Sequence, residues 1–98
     1  MKIIALEHEQ PGAEAAAFER LGQAEARRAW ELYQQGVIRE LYFRTDKTEA
    51  VLILECDSVD EAGAHLGTLP FVAAGLIRFE LIPLRAYPGF ARLFAKDE

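Results

Sequence analysis

Apolar and polar positions along the chain fall into two periods, and the order in which those periods alternate predicts the fold. Residues 2–9, KIIALEHE, read as a first strand closed by Gln10, Pro11 and Gly12. From Ala13 to Gln35 there is no proline, Ala, Glu, Leu, Gln and Arg dominate, and Gly36 follows as a C-terminal stop, so one long helix is predicted. At about 100° per residue its apolar stripe holds Ala15, Phe18, Gly22, Ala26, Ala29 and Tyr33, widened by Leu21 and Leu32.

Residues 36–58, GVIRELYFRTDKTEAVLILECDS, read as a hairpin. With TDKT (Thr45–Thr48) as the turn, Arg44 faces Glu49, Tyr42 faces Val51, Glu40 faces Ile53 and Ile38 faces Glu55, and all share one face. The opposite face carries Val37, Arg39, Leu41, Phe43, Ala50, Leu52, Leu54 and Cys56, which is apolar apart from Arg39 and fit to receive helices. DSVDEAGAHLGTLP then gives a shorter helix, capped by Asp57 or Ser58, with Glu61 completing a capping box and Pro70 ending the segment. Its buried stripe is Val59, Ala62, Leu66 and Leu69. After a loop through Gly75, LIRFELIPL is a fourth strand in which Ile77, Phe79 and Leu81 alternate with Arg78, Glu80 and Ile82.

The order βαββαβ predicts an α+β, ferredoxin-like domain over residues 1–84, with two helices on one face of a four-stranded antiparallel sheet. The other face is too hydrophobic to be left to water. Ile38, Tyr42, Val51, Ile53, Ile82 and either Ile4 with Leu6 or Ile3 with Ala5 lie among its charges. Two subunits stacking these faces would form a dimeric α+β barrel, so a homodimer or higher homo-oligomer is expected. Residues 85–98 remain as a C-terminal tail. In YPGFARLF, Tyr87, Phe90, Leu93 and Phe94 give one apolar side to pack on the domain itself or on a neighbouring subunit.

Composition narrows function more than fold. A net charge of −5 on 98 residues, with the basic residues scattered, argues against nucleic acid. The third strand offers Val51, Ile53 and Glu55 where an RNA-binding sheet needs exposed aromatics. No run approaches the roughly 20 apolar residues of a membrane span, and MKIIALEHEQ meets charge too soon for a signal peptide, so a cytoplasmic location without membrane contact is expected. The single cysteine, Cys56, excludes an internal disulfide, and His8 and His65 lack ligand spacing, so no metal is expected. No Gly-rich phosphate loop is present.

SVDEAGAHLGTLPFVAAGLIRFELIPL, residues 58–84, resembles the muconolactone isomerase family of the dimeric α+β barrel superfamily. The Ser-Val, the Glu-Ala, the Leu-x-x-Leu-Pro and the following strand match in order and spacing, and RELYFR (Arg39–Arg44) resembles that family's second strand. RAYPGFARLF, Arg85–Phe94, resembles a bacterial subgroup that departs from the pathway isomerases at its ends. The resemblance implies a cofactor-free small-molecule enzyme, an isomerase or cyclase moving a proton on an enolisable or lactone-like organic acid. The superfamily also implies two alternatives, a cofactor-free monooxygenase on an aromatic or polyketide substrate and a non-catalytic small-molecule-binding or assembly protein.

Proton transfer beside a carbonyl needs a carboxylate or imidazole base and a donor to hold the enolate. Arg39, the one charge on the helix-facing side of the hairpin, either reaches into a cleft to hold a substrate carboxylate or snorkels out at the strand end. Glu25, inside the apolar arc of the long helix, is either Arg39's partner, a base, or a helix-edge glutamate in water. Glu40, Arg44, Glu55, Arg78 and Glu80, with Tyr42 as hydroxyl donor, either line a shared cavity or pair across a dimer. His8 has the best intrinsic pKa for acid–base work. Trp30 and Tyr33 are further candidates for substrate contact, giving a catalytic set of Glu25, Arg39, Tyr42, Glu40 and His8 and a binding set of Arg39, Arg44, Tyr33 and Trp30.

Overall fold

The protein is described as a computed structural model over residues 1–95; residues 96–98 of the expected tail lie outside the described residues. The chain runs β1 (Lys2–Glu9), α1 (Ala15–Gln34), β2 (Ile38–Phe43), β3 (Ala50–Glu55), α2 (Val59–Leu66), α3 (Pro70–Ala73), β4 (Ile77–Pro83) and a 3₁₀ helix, Gly89–Phe94. The strands form one antiparallel sheet in the order β2-β3-β1-β4. This is the ferredoxin-like α+β arrangement that the periodicity predicts.

Local chemistry accounts for the helix ends. α1 stops at Gly36, whose φ of 81° is left-handed. There the Gly36 N–H donates to the Tyr33 carbonyl and the Val37 N–H to the Leu32 carbonyl, both at 3.0 Å, while Val37 and Leu32 are themselves buried. That is a Schellman ending with its hydrophobic contact. At α2 the Ser58 hydroxyl accepts the Glu61 N–H at 3.0 Å, and the Glu61 carboxylate accepts the Asp57 N–H at 2.6 Å. Pro70 does not end the helical segment as expected but opens α3, because a proline at a helix's first position gives up an N–H that would be unpaired anyway.

The hairpin departs from strict alternation at one residue. Tyr42 pairs with Val51 and Glu40 with Ile53, as the sequence predicts, but Ile38 pairs with Leu54 rather than Glu55, leaving Arg39 as the extra residue of a β-bulge. The Glu55 N–H donates to the Val37 carbonyl at 2.9 Å and closes the bulge. Ile38 thereby turns to the helix side, where it is 1% exposed, and joins the core.

That core gathers Ile3, Ala5, Leu52, Leu54 and Ile77 from the sheet with Leu32, Ala62, Leu66 and Leu69 from the helical side. α1 contributes Leu32 fully but not Tyr33, which is half exposed, so the helix rests on the sheet through its C-terminal end. On the opposite face Ile4 lies between Ile53 and Ile82, and Leu6 between Val51 and Glu80, which settles which β1 residues face outwards. Among the described residues the apolar side of the tail does not cover the core of its own chain: Tyr87, Phe90, Leu93 and Phe94 are 65–84% exposed, and the described residues extend 65 × 29 × 21 Å. The Tyr87 ring folds back over Gly89, where any side chain would collide with it.

Candidate active site

α1 presents Gly22, Ala26 and Ala29 towards the sheet, residues too small to fill the space beneath them. A cleft of about 700 Å³ results between α1, α3 and the helix-facing side of the sheet. Phe18, Phe71 and Phe79 wall it, and Leu41 and Phe43 on the edge strand border it with more than half their surface exposed. Phe18 and Phe71 meet edge to face, ring centroids 5.0 Å apart, which ties α1 to α3 above the cleft.

Two carboxylates stand half-buried in this apolar setting. Glu25, from the middle of α1, accepts the Phe71 N–H at 2.9 Å. Burial raises its pKa above the ordinary glutamate value, and that hydrogen bond offsets the rise only in part. Glu7 arrives from β1, because Ile3, Ala5, Glu7 and Glu9 form the row that points to the helix side. Burial raises its pKa also; the Ala50 N–H pulls it down, and the charges of Glu49, Glu25 and Glu9 push it up again. At the mouth, the Glu9 N–H donates to Glu49 at 3.1 Å, and Glu49 pairs with Lys47 at 3.1 Å. A pair of carboxyl groups with unequal surroundings and raised proton affinity is equipped for one to take a proton while the other supplies one.

Of the residues expected from sequence, Glu25 stands in the cleft, whereas Arg39 does not. The bulge turns Arg39 outward, where its Nε–H donates to the Gly36 carbonyl at 2.8 Å. The guanidinium therefore serves the end of α1 and cannot be Glu25's partner. Arg44 does not cross to the Glu49 carboxylate; it grips Asp46 through two hydrogen bonds of 2.9 and 2.6 Å at the hairpin tip. Tyr42 borders the cleft, but its hydroxyl donates to Glu40 at 2.7 Å on the opposite face, and that bond raises the tyrosine's pKa. His8 also lies on that face, 3.3 Å from Glu80, two strands away from the Glu40–Tyr42 pair. Trp30 and Tyr33 stack on each other at 5.5 Å on the exposed side of α1 and do not line the cleft. Cys56 is buried, which raises its pKa and keeps it a thiol.

The residue that sequence reasoning missed is Glu7. Its signal was the two-residue row from Ile3, which carries an apolar strand face into two acids. Among the described residues no group of His, Cys, Asp and Glu is placed to hold a metal, and no helix is long and apolar enough to cross a membrane.

The family model for muconolactone delta-isomerase matches residues 4–89. No curated protein matches the chain by sequence. Among solved structures, muconolactone isomerase superposes with a TM-score of 0.74 at 20% identity, over 90% of this chain and 92% of that one. The 5-chloro-2-hydroxyhydroquinone dehydrochlorinase of Burkholderia phenoliruptrix, in complex with 2,5-dihydroxybenzoquinone, superposes with a TM-score of 0.66 at 20% identity, over 91% of this chain and 98% of that one.

Proposed function

Because the chain belongs to the muconolactone delta-isomerase family, we propose that it is a small-molecule enzyme that moves a proton on an enolisable substrate held in the helix-side cleft. The observation that carries this reading is the half-buried Glu25–Glu7 pair inside apolar walls. Glu25 is the base. It has one fixed N–H partner, the Phe71 amide, whereas the charges of Glu49, Glu25 and Glu9 all press on Glu7 and favour its protonated form. Glu7 in its protonated form is the donor to the enolate oxygen, as a neutral carboxylic acid in an apolar site can be.

The reaction is then balanced without net charge transfer. Glu25 takes the proton from the carbon beside the carbonyl, a hydrogen bond from protonated Glu7 stabilises the enolate oxygen, and Glu25 returns the proton to a different carbon while Glu7 keeps its own, which completes an isomerisation. Glu40, Tyr42 and His8 serve assembly or the fold in this reading, since their partners are one another and Glu80.

Proton–deuterium exchange in D₂O, followed by NMR across a panel of enolisable lactones and cyclic ketones, tests it. Wild type should exchange at least one member catalytically, and Glu25→Gln should slow that exchange by roughly 10²–10⁴-fold. Exchange in Glu25→Gln at the wild-type rate would refute Glu25 as the base.

A further inference from the structure

Every ionisable lining residue of the cleft that would be charged near neutral pH is an acid. Glu7, Glu9 and Glu25 stand there, and among the described residues no lysine, arginine or histidine lines it. Four cations on or beside its elements are committed elsewhere: Arg39 to the Gly36 carbonyl, Arg44 to Asp46, Lys47 to Glu49 and Arg28 to Thr68 and Glu31. One backbone donor beside the cleft is taken as well: the Phe71 N–H is occupied by Glu25, so one of the chain's own carboxylates fills a place where an anion could have been held.

We infer that the cleft selects an uncharged, largely apolar ring compound and turns organic anions away. The inference rests on the reading that this cleft is the substrate site, and it reverses the expectation of an organic acid held by Arg39. A substrate carboxylate would lose water on entry, meet no lysine, arginine or histidine among the lining residues, and sit beside the carboxylates of Glu25 and Glu9. An uncharged ring meets Phe18, Phe71 and Phe79 and gives up little hydration.

The test is a binding titration, independent of turnover, with 2-naphthol and 2-naphthoate as a matched pair at neutral pH. The uncharged phenol should bind at least about tenfold more tightly than the carboxylate, a difference of about 1.4 kcal/mol. The Glu7→Gln, Glu25→Gln double variant should narrow that ratio towards one. Ala26→Trp, placed on the cleft wall, should weaken 2-naphthol at least about tenfold by occupying its space. Equal or tighter binding of 2-naphthoate overturns the inference, as does a ratio untouched by the double variant. Failure of both compounds to bind, or indifference to Ala26→Trp, overturns it by removing the cleft as the binding place. Because the titration needs no reaction, a preference for 2-naphthol without any proton exchange would refute the catalytic reading alone.

Discussion

Truncating Glu25 to alanine separates what the carboxylate does for the fold from what it does for chemistry. Its Oε1 accepts the Phe71 N–H at 2.9 Å, bridging the middle of α1 to the first turn of α3. That N–H is one of the donors a helix cannot satisfy internally, and Pro70 before it has none to offer. Removing a charged acceptor from a part-buried donor costs about 1–3 kcal/mol, and an open cleft that admits water places this case at about 1–2 kcal/mol. For a domain of this size each kcal/mol moves the midpoint by roughly 4–8 °C, so Glu25→Ala should melt about 4–16 °C lower. Glu25→Gln keeps an acceptor oxygen and the side-chain volume while discarding a charge that burial disfavours, so it should stay within about 3 °C of wild type at neutral pH.

The same pair of variants carries a pH signature. Burial raises Glu25 above the unfolded carboxylate value, so the folded protein binds this proton more tightly than the unfolded chain does. Its contribution to stability is fully present below the unfolded pKa, about 4.3, and is lost as pH rises through the folded value. The wild-type midpoint minus the Glu25→Gln midpoint should therefore fall with rising pH above about 4 and then level off, with Glu7 acting in the same direction in both proteins. Calorimetric melts across a pH series measure it. A Glu25→Ala midpoint within about 2 °C of wild type, or a difference that grows with pH, would refute the reasoning.

Arg39→Met removes one exposed hydrogen bond to the Gly36 carbonyl, so it should cost less than about 1 kcal/mol and leave ligand-induced stabilisation at the cleft unchanged. Loss of that stabilisation would put the guanidinium in the site. The Ile82–Ile4–Ile53 row and Val51 on the open sheet face call for a sheet-to-sheet homodimer, to be seen by light scattering at micromolar concentration and dissociated by Ile53→Lys. A monodisperse wild-type monomer sinks that proposal. Deleting residues 87–98 should lower the assembled mass or the melting midpoint, because four apolar side chains at 65–84% exposure are otherwise without purpose in a single chain. Unchanged mass and melting would mean that the tail clasps nothing.

How much of this was legible in the sequence depended on whether one period sufficed. The βαββαβ order, the Gly36 stop, the Ser58–Glu61 cap and the Tyr42–Val51 register each follow from local rules, and the structure has them. What strict alternation cannot show is an inserted residue. Val37, just before β2, and Ile38, its first residue, are adjacent and both buried, and the two apolar letters side by side were the available sign that alternation fails at this end of the strand. Glu7 was hidden for a different reason: periodicity groups Ile3, Ala5, Glu7 and Glu9 together without saying which side of the sheet they face, and only the long-range pairing with β3 decides it. The two omissions combine at the site. Had β2 kept its alternation, Arg39 would have entered the cleft as the counter-ion of Glu25, lowering the proton affinity of that carboxylate and offering substrate anions a partner. By ejecting the one cation and admitting Ile38, the bulge leaves two acids among apolar walls, and the proposed preference for an uncharged, enolisable substrate rests on that single extra residue.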